Sequence, residues 1–594
     1  MRRQKRKMAK MNATKWRPRP GRIWLSLVRA LGALEAVAAL VAGCAPGKST
    51  PDLAQHQILR MALQPFGNGD VATLDPDIAT DPNSQTVIDL IYDPLVTLDR
   101  QARVENWGAE RVDISADGLT YTFHMRGGQG FADGKPVTAA NYAYSMNRTL
   151  NPCAASPVSY YLYAIKNAER FNDQICKNGE LITYPGQSGP PLTTLLGDSI
   201  NVPDSATLVV TLERPAAYFL TALTYPVDAA LDPSVVGPDP ANESWHDTLN
   251  KGPHGQGTSG MFAVSVWDHR AGKLVLKPNP HWWGLRAGKR PYLTEIDVVI
   301  FSEFSNNSLN AYQRGQVDIA FPDATVQSAA QTQRDFHRVP LFTEYALTME
   351  WTRAPYDNPD ARTALCLAVD RDALNQQVYG GRMWPTWHIV PRGMPGYNLW
   401  LTGPDGVSST RGDPAAARAH WQAYLDSLHG AKPPQMTYYY NLSSRTQTDL
   451  AWAIAQQWRT VLGVLVEIRG WSHEYLDTPA VTLPLTRFGW QADYPDPQDF
   501  LSLLLTAKAP YNPGGVNVPA ADKLTDQADV TGDPALRTAL YNDAEQLYVN
   551  AVAWCPLFQG TTGYLQRAAV HGWMLDGRSL TPNDAWLATY IART

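Results

Sequence analysis

Charge is scarce in this chain: 18% of its 594 residues are Asp, Glu, Lys or Arg. Five cysteines are too few for a disulfide scaffold. None of them forms a CxxC pair, which removes the usual cysteine zinc site. The chain also lacks an HExxH helix, a GxSxG elbow and a β-lactamase-like SxxK set, and its twelve histidines form no close pair. An exported hydrolase would therefore lack its ordinary machinery, so no catalytic residue, metal or cofactor is expected. Long apolar runs are missing beyond one near the N-terminus, which excludes a multi-span membrane protein. There is no internal repeat. What is present is core material: 44% of residues are hydrophobic and 10% aromatic, which excludes disorder and suits several domain-sized units.

Positive charge is concentrated at one end. Residues 1–43 hold eleven of the 51 Lys/Arg and one of the 56 acids, Glu35, leaving 40 bases against 55 acids in the other 551 residues. A body this acidic argues against nucleic-acid binding. The basic stretch 1–22, the mostly apolar stretch 23–43 and the small residues Val41-Ala42-Gly43 before Cys44 fit a secretory signal. Cys44 in that setting resembles a bacterial lipobox, in which the cysteine is lipidated and becomes the mature N-terminus. The expectation is a signal peptide over 1–43, a lipidated Cys44 with a polar tether over 44–57, and a body held at the outer face of the cell membrane or in the periplasm. Export makes disulfides permissible. Cys153 and Cys176 share a loop-rich stretch, so a disulfide between them is expected. Cys366 lies in an apolar helical run and reads as a buried thiol, whereas Cys555 could be either.

Along the body, residues 120–126 alternate Tyr121, Phe123 and Met125 as a half-buried strand. Thr138 is placed to cap a helix running to about Leu150. Strands are expected over 208–212, 274–277 and 295–301. From Gln447 a helix sets Leu450, Ala453, Ile454, Trp458, Val461 and Leu462 on one stripe, with Gly463 to end it. Flanked by strands over 436–440 and 464–468, it forms a βαβ unit and implies a parallel or mixed sheet. A further helix is expected over 534–549.

Six segments in order resemble the bacterial extracellular solute-binding proteins of family 5, the dipeptide and oligopeptide group serving ABC importers. They are Ile91-Tyr92-Asp93-Pro94-Leu95, Asp117-Gly118-Leu119-Thr120-Tyr121, Phe131-Ala132-Asp133-Gly134-Lys135, Asn279-Pro280-His281-Trp282-Trp283, Asn310-Ala311-Tyr312-Gln313-Arg314-Gly315, and Gly489-Trp490-Gln491-Ala492-Asp493-Tyr494-Pro495. The resemblance implies an α/β fold of two lobes, periplasmic-binding-protein-like (type II, cluster C), with an extra domain inserted in the first lobe. Lobe I would comprise 54–92, 190–300 and 558–594, the insert 93–189, and lobe II 301–557. It also implies a monomer that captures peptides between its lobes and delivers them to permease subunits, without chemistry of its own.

A free peptide is a zwitterion, and enclosing either charge without a partner costs several kcal/mol. Such a site needs a carboxylate for the ammonium, a cation for the carboxylate, and strand-like pairing for the peptide backbone. The resemblance assigns Asp493 to the ammonium, Arg487 to the ligand carboxylate, and Trp471 and Trp490 to aromatic walls suited to cation–π contact and stacking. Asp496 and Asp499 read as turn and cap residues. The alternative is the same scaffold holding a non-peptide solute, such as an oligosaccharide, an opine or a nickel complex. Asp493 beside Trp490 favours an amine-bearing ligand over a neutral sugar.

Overall fold

The structure is a computed structural model and describes residues 52–593, apart from 65–69, 185, 187–188, 243, 253, 269, 302–306, 323–325, 472–482, 510–511 and 513. The basic leader, Cys44 and residues 45–51 lie outside the described residues. The expected tether over 44–57 is too long at its far end. Ala54 donates to the Ile591 carbonyl at 2.9 Å, and the Gln57 side chain both donates to Ile591 O at 2.8 Å and accepts from Ile591 N at 2.9 Å. Residues 54–57 are thus stitched to the C-terminus. Among the described residues no helix is long and apolar enough to cross a membrane.

In chain order the elements that position the site are β1 (Ile58–Ala62), α1 (Pro82–Ile91), β2 (Ala109–Ile114), β3 (Thr120–Met125), α2 (Ala139–Thr149), β4 (Ile200–Asp204) and β5 (Thr207–Thr211). There follow β6 (Phe262–Asp268), β7 (Lys273–Pro278), β8 (Glu295–Val299), β9 (Ile319–Ala320), β10 (Phe336–Met349), α3 (Pro359–Leu367) and α4 (Pro414–Ser427). The last are β11 (Met436–Asn441), α5 (Arg445–Leu462), β12 (Val466–Trp471), β13 (Leu485–Gln491), α6 (Gln498–Leu505), α7 (Pro534–Asn550) and β14 (Cys555–Gln566).

One mixed sheet runs through the molecule in the order β6-β7-β8-β1-β9-β14-β10-β13-β11-β12. β1 lies parallel to β8 and β9, and β11 parallel to β12 and β13, while the long β10 and β14 are antiparallel and join the two regions. The βαβ unit forms as its pattern dictates. Ser444 caps α5 by accepting from Gln447 N, and Gly463 ends it at φ 73°, a left-handed turn that disfavours a side chain. β3 shows the expected alternation, with Tyr121, Phe123 and Met125 buried. Thr138 caps α2 through a reciprocal box with Asn141.

The insert carries its own sheet, β2-β3-β5-β4. This corrects one boundary. The strands over 200–211, expected in lobe I, pair instead with β3, Thr120 opposite Thr211 and His124 opposite Thr207. Their hydrophobic residues Ile200, Leu208 and Val210 pack in the insert's core, where Phe123 and Met146 are buried. A boundary near 189 would strip β3 of its neighbour.

Cys153 and Cys176 form a disulfide. Cys366 and Cys555 form a second one, which overturns the buried-thiol reading of Cys366. The sequence hides this pair because 189 residues separate the two cysteines, and only the packing of α3 against the start of β14 brings them together.

His420 on α4 clamps two neighbours. Its Nδ1 is 2.7 Å from Asp360 and its Nε2 is 2.7 Å from Asp405. Burial lowers its pKa, but the hydrogen bonds with both carboxylates outweigh burial and leave it raised. The imidazolium is therefore favoured by folding. Its contribution is complete below the unfolded histidine value of about 6.5 and is lost as pH rises through the folded value. We expect the melting-temperature advantage of the wild type over His420→Gln to be largest near pH 5 and to close as pH rises. A gap that stays constant with pH would contradict this clamp.

Candidate functional site

The candidate site grows from the end of β13. Ala492 N donates to Phe342 O at 2.7 Å, which fixes the exit of the strand against β10. One residue on, Asp493 N donates at 3.0 Å to Asp499 Oδ2, in the first turn of α6. The same oxygen accepts the indole N–H of Trp490 at 3.0 Å. Asp499 is thus more than a cap, since it locks the segment that presents Asp493. Asp496 also does more than turn the chain. Besides accepting from Gln498 N, it takes both Nη groups of Arg537 at 2.7 Å.

Asp493 lines a cavity of about 230 Å³. Its walls come from distant parts of the chain: Gln85 and Asp89 on α1, Tyr160 and Tyr161 of the insert, Tyr225, the strand exit at Gln491–Asp493, and Arg578 near the C-terminus. Tyr161 stacks between Tyr160 and Tyr225, with ring centroids 4.6 and 4.3 Å apart, and meets Tyr494 edge-on at 6.0 Å. Tyr225 is fixed in turn, accepting from Gln85 Nε2 at 2.6 Å and donating to Ala79 O. Stacked aromatic faces beside a carboxylate make a surface suited to a cation.

Electrostatically, the Asp493 position is unfinished. Its Oδ2 is buried and has no hydrogen-bond partner. Burial is the main cause that lifts its pKa to about 6, and the Tyr160 and Tyr161 hydroxyls oppose the shift. Asp499 is also pushed up, by its own burial and then by Asp493. Two neighbouring buried carboxyls with no cation between them leave a place for a positively charged ligand group.

The other expected site residues do not meet Asp493 here. Trp490 stacks with Phe488 at 6.3 Å and packs, partly buried, against the core cluster that holds Phe488. The alternation of side chains along a strand causes this, since Trp490 follows Phe488 by two positions. Arg487 points into a tyrosine cluster, with its guanidinium 4.0 Å from the Tyr345 ring. Trp471, at the end of β12, lies edge-on to Tyr439 at 6.1 Å and is 37% exposed. None of the three lines the cavity. Those that do and were not anticipated are Asp89, Tyr160, Tyr161, Tyr225 and Arg578. Nothing local marks them, because the fold gathers them across almost 500 positions.

Among the described residues no group of His, Cys, Asp and Glu is arranged to hold a metal ion. A cavity walled by separately packed regions, with one unsatisfied buried carboxylate, defines a ligand-enclosing binding protein. The model for bacterial extracellular solute-binding proteins, family 5, matches residues 103–512, and the chain belongs to that family. It is 26% identical to the oligopeptide-binding protein OppA of Bacillus subtilis (strain 168), covering 85% of this chain and 88% of that protein. It is 28% identical to the probable deoxycholate-binding periplasmic protein YgiS of Escherichia coli (strain K12), covering 89% and 92%. The fold matches MppA, a periplasmic murein tripeptide binding protein solved in its unliganded open form, with a TM-score of 0.75 at 23% identity over 92% of this chain and 99% of that one.

Proposed function

We propose that this protein is the substrate-binding component of an ABC importer, that it captures peptides, and that Asp493 takes their free ammonium. The observation that carries this is the buried, unpartnered Asp493 oxygen in the cavity wall. A neutral sugar would leave that carboxylate as it is, whereas an ammonium would complete it. The oligopeptide-binding relatives support a peptide. One relative is named a probable deoxycholate-binding protein rather than a peptide-binding one, so ligand class is argued from the site and not from the fold.

Ligand would bridge the parts of the wall and favour a closed form, which the permease subunits recognise. The protein performs no chemistry in this reading and acts as a monomer. The sequence of residues 1–44 supports export and a lipid anchor on Cys44 at the outer face of the membrane. The domain division proposed above is kept with one change, the insert extended to include β4 and β5. Incubation with a library of free tripeptides tests the binding role: bound peptides should be recovered intact at one per protein, and hydrolysis products would contradict it.

A further inference from the structure

The cavity holds a second acidic group that the peptide reading leaves unused. Asp89, in the last part of α1, lines the same wall as Asp493. Among the described residues its side chain forms no hydrogen bond or ion pair. Among the described residues the one cation in that wall, Arg578, is already engaged. Its Nε and Nη2 donate to Asp576 Oδ2 at 2.9 and 2.7 Å, while Asp576 Oδ1 also takes the backbone N–H of Arg578 at 2.8 Å and of Leu580 at 3.2 Å. The Arg578 guanidinium is therefore shared with Asp576, and among the described residues neither carboxylate of the wall forms an ion pair of its own. An α-ammonium assigned to Asp493 leaves Asp89 with no ligand group assigned to it.

We propose that Asp89 is a specificity-determining residue that receives a second positive charge, so that the site selects peptides whose first residue is basic. The α-ammonium would sit at Asp493 and the Lys or Arg side chain at Asp89, two charges joined by a flexible methylene stem that can run along the tyrosine faces. The assignment rests on the reading of Asp493 as ammonium partner. Burial supports it independently, lifting the Asp89 pKa to about 7; Arg578 opposes the shift and Asp576 adds to it. A carboxyl held that high gains most from an incoming cation.

Calorimetry on the mature protein tests this with Lys-Ala-Ala, Ala-Ala-Ala and Ala-Ala-Lys, against wild type and Asp89→Asn. The wild type should bind Lys-Ala-Ala at least tenfold more tightly than Ala-Ala-Ala, with Ala-Ala-Lys close to Ala-Ala-Ala. Asp89→Asn should bring Lys-Ala-Ala within twofold of Ala-Ala-Ala, and an apo melting curve like that of the wild type shows that the variant is folded. Equal binding of Lys-Ala-Ala and Ala-Ala-Ala by the wild type, or a preference that survives Asp89→Asn, would overturn the proposal. A diamine carries the same two charges without a peptide, so 1,5-diaminopentane should bind at least tenfold more weakly than Lys-Ala-Ala, and equal or tighter binding would overturn the peptide assignment. Asp493→Asn, titrated with Ala-Ala-Ala, reads the underlying assignment by itself: unchanged affinity there would reject the role of Asp493 whatever Asp89 does.

Discussion

Asp493→Ala is expected to weaken binding of a free tripeptide by about 30-fold or more, because removing one partner of a buried charge pair costs ~2–5 kcal/mol. The loss comes mostly from the ligand ammonium, which would enter the cavity without the Asp493 carboxylate that completes it. The apo protein should not suffer. The folded carboxyl has a pKa raised to about 6, chiefly by burial, so ionised Asp493 costs the empty fold stability near pH 7. The melting temperature of the apo variant should accordingly hold or rise. Acid should mimic the mutation. Below about pH 6 the proton competes with the ammonium for the same oxygens, and wild-type affinity should fall as pH drops from 7 to 5. The groups acting on that proton are Tyr160, Tyr161 and Asp499, and Asp89 and Arg578 share the cavity wall with it. Affinity that is flat across this range would contradict the assignment.

Arg148→Met should lower stability by ~3–5 kcal/mol, the range for breaking a buried ion pair from one side. Arg148, on α2 of the insert, is 3% exposed, and its partners Asp75 and Asp77 are fully buried. Its Nη1 donates to Asp75 Oδ1 at 2.9 Å and Asp77 Oδ2 at 2.5 Å, and its Nη2 to Asp75 Oδ2 at 2.7 Å. Trp245 Nε1 and Ser145 Oγ complete the two carboxylates at 2.9 and 3.0 Å. Methionine keeps the volume but leaves two buried acids without their cation. Asp77, raised to about 6 chiefly by burial and held down by Arg148, then favours the protonated form further, so the variant should regain stability as pH falls, and its deficit in urea unfolding should narrow between pH 8 and pH 5. An equal deficit at both pH values would show that packing, not charge, sets the effect.

How much of this was legible in the sequence depends on how local each cause is. The βαβ unit around α5 was readable because one apolar stripe, Ser444 and Gly463 act within a few residues of each other. Order along the chain, carried by six short segments, gave the fold class and the family. Strands β4 and β5 were misassigned because nothing in 200–211 names the sheet that they join; only the partner β3, about 85 positions earlier, decides it. The pairing of Cys366 with Cys555 fails to show for the same reason. At the site, the segment around Asp493 singles that residue out, and the structure puts it in the cavity wall. Trp490 does not line the cavity, because adjacency in sequence says nothing about which face of β13 a side chain takes, and here the indole donates to Asp499. Asp89 and Arg578 were invisible, being ordinary charged residues until the fold places them in one wall.

The most direct test of ammonium capture at Asp493 is a paired calorimetric titration of one tripeptide, free and N-acetylated, into the wild-type protein at pH 7. The free peptide should bind at one per protein and at least tenfold more tightly than its acetylated form. Acetylated peptide binding as well as the free one would contradict the central claim, because the cavity would then be ignoring the only group that its buried acid can complete.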